Sequence, residues 1–138
     1  MTSTSLDSAV RPAADAARGL ALTVRADAAI TGLFGILLAV ASTLLDGWLS
    51  VDTALLLALG LVLAGYALVL EFVVARRPTA ALVWDVIVLN TLWVVGSVVA
   101  VLTDVLTLNT LGTVFVLGQA AAVALIAELQ FLALRRAR

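Results

Sequence analysis

Four carboxylates stand inside long apolar stretches of this chain: Asp27, Glu71, Asp85 and Glu128. Asn90 shares the stretch ALVWDVIVLNTLWVVGSVVAVL, residues 81–102, with Asp85. An acid in such a medium pairs with a cation, or joins other acids in a cation or proton site where each raises the other's pKa. Its partners for pairing are Arg25, Arg76, Arg77 and Arg135, which flank the same stretches. At the centre of a bilayer each charge costs about 2.5–3.5 kcal/mol, so intramembrane acids usually face a bundle interior or a water-filled cavity.

Other chemistry is excluded by composition. The chain has no cysteine, hence no disulfide or thiolate site, and no histidine, hence neither the commonest general base nor the usual haem and zinc ligand. No phosphate-cradling glycine loop, nucleophile elbow or HExxH helix occurs. Neither Asp27 nor Asp85 has the glycine-flanked setting of an intramembrane aspartyl protease. No catalytic residue, cofactor or metal site is expected. A net charge of −1 argues against a nucleic-acid partner.

The elements that must position these acids are membrane spans. The chain has 138 residues, 64% of them hydrophobic and only 12% charged. A soluble domain of that size cannot hide so much apolar surface. Four stretches reach the length of about 20 residues that crosses about 30 Å of hydrocarbon. They run over about 27–45, 51–75, 81–102 and 108–134. Asp46-Gly47-Trp48, Arg76-Arg77-Pro78 and Thr103-Asp104 break them apart. The fold class expected is all-α: a four-helix transmembrane bundle over 21–138, read as two tandem helical hairpins. A polar tail over 1–20, with Pro12, is expected to be flexible and cytoplasmic.

Arginine sets the orientation. Arg11, Arg18 and Arg25 precede span one, Arg76 and Arg77 lie between spans two and three, and Arg135, Arg136 and Arg138 follow span four. The other two loops hold only Asp46, Asp52 and Asp104 as charges. The positive-inside rule then places both termini and the middle loop in the cytoplasm of a cell-membrane protein, with anionic lipid as the partner of the arginines.

Helical spacing arranges the polar groups. Gly60, Ala64, Ala67 and Glu71 fall on one side of span two, and Ala121, Ala124 and Glu128 on one side of span four. Such small-residue faces let a second backbone approach, within the chain or in a homo-oligomer. Asp27 shares a face with Thr31. Asn90, Trp93 and Ser97 form a stripe on span three, with Asp85 at its edge. Tyr66 and Gln119 add polar groups farther along the spans.

A shift of about 58 positions superimposes Asp27 on Asp85, Asp46 on Asp104 and Gly60 on Gly118. Tandem duplication and the charge layout common to any two such hairpins both account for this.

The segments NTLWVVGSV (Asn90 to Val98) and LGTVFVLGQAAAVALIAELQFLALRR (Leu111 to Arg136) resemble a loose group of small four-span bacterial membrane proteins of uncharacterised function. The likeness extends from about Arg25 onward. It implies the four-span fold and no activity. The expectation is thus a non-enzymatic structural or accessory component of the cytoplasmic membrane. The alternative is a small transporter or channel for a proton, cation or small solute, using the intramembrane carboxylates.

Overall fold

The computed structural model describes residues 3–137, with side-chain surroundings given for 14–137. The described chain is helical, without strands. Helix α1 covers Ser3–Val40, α2 Ser42–Leu49, α3 Thr53–Val69, α4 Ala80–Leu102 and α5 Thr110–Arg136. A π-helical turn, Leu70–Val74, continues α3. Four segments are long and apolar enough to cross a membrane: Ala14–Val40, Thr53–Val74, Ala80–Leu102 and Thr110–Arg136.

The surface agrees with lipid as solvent. Leu33, Val40, Leu61, Leu92 and Val114 all point outward, each more than half exposed. A water-soluble protein rarely presents so continuous an apolar exterior. The chain is a four-helix bundle that fits a multi-pass membrane protein.

Two boundaries differ from expectation. The stretch read as a tail over 1–20 is helical from Ser3, continuous with α1. Its alanines favour helix, and Pro12 removes a single donor without ending it. Span one therefore starts and ends earlier, at Ala14–Val40 rather than about 27–45. Residues Asp46-Gly47-Trp48 do not break the run either; they belong to the separate helix α2. The reversal comes after them, at Ser50, whose φ of 56° is left-handed. Asp52 then caps α3, accepting from Ala54 N–H at 2.9 Å and Leu55 N–H at 3.1 Å.

Packing is uneven. α1 lies most extensively against α3 and α4 against α5, while α1 also meets α5. The first pair is close because α1 and α3 cross through glycine: Gly35 lies against the backbone of Gly60 and Ala64, and Gly60 against that of Ala39. The small face of span two is thus used inside the chain. Toward the end holding Arg76 and Arg135, a core draws on all four spans, with Val24, Leu70, Val83 and Leu134 nearly inaccessible. Toward the other end a second core joins Leu38, Leu49, Leu56 and Leu63, with Trp93 and Phe115 against it. There Asn109 caps α5 through Gly112 N–H and donates to Trp48 O at 2.7 Å and Ser50 Oγ at 3.1 Å, tying the two far loops together.

Candidate functional site

Asp27 is wholly buried, at 0% exposure, in the middle of α1. Its Oδ2 accepts from Asn90 Nδ2 and from Gln130 Nε2, each at 2.8 Å. Its Oδ1 accepts from Thr31 Oγ1 at 3.0 Å. Asn90 Nδ2 also reaches Gln130 Oε1 at 3.3 Å. One carboxylate therefore ties α1 to α4 and α5. Gln130 is as inaccessible as Asp27, and Asn90 is buried.

Local sequence explains each placement. Asp27 and Thr31 are four residues apart on one helix face, the spacing that lets a threonine hydroxyl meet a carboxylate. Asn90 follows Val83, Val86 and Ile87 along the buried side of α4. Gln130 falls in the buried series Ala120, Ile126, Ala127, Gln130, Leu134 of α5. Sequence reasoning did not single out Gln130. The three-and-four spacing to Ala127 and Leu134 carried the signal.

The carboxylates do not converge. Asp85 and Glu128 are exposed on the outside of the bundle. So are Ala121 and Ala124, hence the expected inner face of span four looks outward. The buried face lies elsewhere on the helix because larger residues, Ile126, Gln130 and Leu134, fill the interior there. Glu71 lies at the start of the π turn, in which Ala75 N–H bonds Leu70 O, and keeps the side it shares with Gly60, Ala64 and Ala67, toward α1. It is half-exposed and meets Arg25, with Nε–Oε1 at 3.5 Å. Arg76 and Arg135 lie over the rings of Phe72 and Phe131, at 5.0 and 5.8 Å. Arg77 is exposed. Of the four expected cationic partners, Arg25 alone has a carboxylate among the described residues.

The stripe on α4 divides. Asn90 belongs to the Asp27 centre, while Trp93 Nε1 donates to Gln119 Oε1 at 2.8 Å and Gln119 Nε2 donates to Ser97 Oγ at 3.0 Å. Ser97 in turn donates to Trp93 O at 2.8 Å. Tyr66 packs on the core below Asp27, and its hydroxyl is buried without a hydrogen-bond partner.

Two apolar clefts adjoin these groups. One, of about 400 Å³, is lined by Thr31, Phe34, Leu63, Trp93, Phe115 and Gln119 among others. The second, of about 560 Å³, opens between α3 and α4 and shares Phe34, Trp93, Phe115 and Gln119 with the first. Phe34 and Phe115 stack at 5.4 Å between centroids.

Pairs superimposed by the 58-position shift occupy unlike settings. Asp27 is buried and Asp85 exposed; Gly60 touches backbone, whereas Gly118 has open space around it. Among the described residues no cluster of acids is arranged to hold a metal ion. No family model matches the chain, and neither the curated proteins nor the solved structures searched give a match.

Proposed function

We propose that this chain is a non-enzymatic structural or accessory component of the cytoplasmic membrane, its two hairpins fastened by the Asp27 centre. The observation that carries the reading is the wholly buried carboxylate accepting hydrogen bonds from Thr31, Asn90 and Gln130. Satisfied on both oxygens, it behaves as a fastening. Hydrogen bonds of this kind between membrane helices contribute about 0.6 kcal/mol on average and up to about 1.7. Leaving a partner unsatisfied costs more, which favours a single arrangement of the spans.

The arginine distribution supports cytoplasmic termini. Arg76 and Arg135, exposed and carried over aromatic rings, present guanidinium edges suited to anionic headgroups. A homo-oligomer would need a surface other than the Gly60–Ala64 face, which α1 covers.

The transport alternative uses the intramembrane carboxylates, Glu71, Asp85 and Glu128 among them. With Asp85 and Glu128 turned outward, nothing in their placement favours it. The test is ion flux in liposomes carrying the wild type, Asp85→Asn or Glu128→Gln. We expect proton and cation leak no greater than in empty liposomes. Flux in the wild type that either substitution abolishes rejects the structural reading. Reporter fusions to both termini should report the cytoplasm, and an external signal from either overturns the orientation.

A further inference from the structure

The cleft between α1 and α5 is one-sided in its chemistry. Its volume of about 400 Å³ lies in the range of small-molecule sites. Thr31 lines it and has given its one hydroxyl hydrogen to Asp27, so what remains to it is lone pairs. Trp93 has given its only N–H to Gln119, so what remains to it is a ring. Phe34 and Phe115 add two more rings. Aromatic faces carry negative charge density and attract cations, most strongly where water is excluded. Against these stands one spare N–H of Gln119, whose other amide hydrogen goes to Ser97.

Behind Thr31 is Asp27, one hydrogen bond from the cleft wall. Its three donors are neutral. Arg25 is engaged with Glu71 instead. Among the described residues no basic side chain lies within ion-pair distance of Asp27. A cation in the cleft would supply that missing charge.

We propose that this cleft binds a hydrophobic organic ammonium. Its charged head rests against Thr31 within the field of Asp27, and its apolar body lies among Phe34, Trp93 and Phe115. Charge complementarity selects this occupant over a neutral lipid chain, which would fill the apolar part equally well and gain nothing from the carboxylate.

The test uses the full chain in nanodiscs of zwitterionic lipid, with binding to empty nanodiscs subtracted. Calorimetry compares phenylbutylammonium with phenylbutanol, which differ in the charged head alone. We expect the ammonium to bind about tenfold more tightly, the scale of a desolvated cation among aromatic rings. Asp27→Asn, close to isosteric, should abolish that preference and leave the alcohol unchanged. Thr31→Val should reduce the preference, and it carries the test if the Asp27 variant does not fold. Equal affinity for the two probes in the wild type overturns the proposal and makes the cleft a lipid-filled crevice. A preference that survives Asp27→Asn overturns it too. The inference goes beyond the fastening role: that role is read by stability and this one by charge selectivity, so each can fail alone.

Discussion

Gly35 and Gly60 bring the backbones of α1 and α3 into reciprocal contact. A Cβ on Gly35 would fall 2.7 Å from the carbonyl oxygen of Gly60, and one on Gly60 would fall 2.6 Å from that of Gly35. Neither helix can take a side chain there without moving its neighbour. Gly35→Ala and Gly60→Ala should each destabilise by about 1–3 kcal/mol, the usual cost of overpacking. Gly65→Ala, where a Cβ meets open space, should be neutral or stabilising by up to about 1 kcal/mol, because alanine favours helix. Reversible unfolding of the detergent-solubilised protein separates the two classes.

The Asp27 centre should behave as a coupled unit. Asn90→Leu leaves Asp27 with one fewer donor and Gln130 Oε1 without its 3.3 Å contact, and should cost about 1–3 kcal/mol. Asp27→Leu lets Asn90 and Gln130 keep each other. The double variant should therefore lose less than the sum of the single losses, by about 0.5–3 kcal/mol. Strict additivity in that cycle contradicts the network.

Tyr66 invites the opposite outcome. Its hydroxyl is buried and unpartnered, so it contributes desolvation cost and no hydrogen bond. Tyr66→Phe should leave stability unchanged or raise it by up to about 1 kcal/mol, on the same unfolding measurement. A clear loss would mean that the hydroxyl is bonded in the membrane.

Asp85→Asn and Glu128→Gln remove exposed carboxylates with no partner in the interior. Each should change stability by less than about 0.5 kcal/mol. Gln130→Leu, one turn or less from Glu128 along the helix, should cost clearly more. Similar losses at Glu128 and Gln130 would contradict an outward-facing Glu128.

Much of this architecture is legible in the residues. Apolar runs locate four spans, and the glycine–alanine spacing on span two marks a close-packed face, which proves to be covered by α1. Asp27, Thr31 and Asn90 could be placed on faces because α-helical periodicity holds along α1 and α4. What could not be read was rotation about each axis when every side is apolar. Span four offers two plausible inner faces, one of small residues ending at Glu128 and one ending at Gln130. Packing against α4 and α1 decides between them, and that information is not local. Glu71, at the start of the π turn, by contrast lies on the side of span two that its spacing from Ala64 and Ala67 indicates, and meets Arg25 of α1 there.

That turn has a consequence for where residues can be lost. A π turn closes over one residue more than an α turn, so it is a point at which the chain carries slack. Deleting Val73 would let the segment relax into regular helix while the Gly60 crossing stays seated. Ala75 would then stand four residues from Leu70, so the bond it already makes to the Leu70 carbonyl would close an ordinary α turn and everything beyond would keep its bearing. Keeping Val73 and forcing the turn into α-helix would instead swing Arg76 and the connector round the axis by about 100°, the angle one residue subtends. The wider turn thus preserves the compass bearing of the inner connector in spite of the surplus residue.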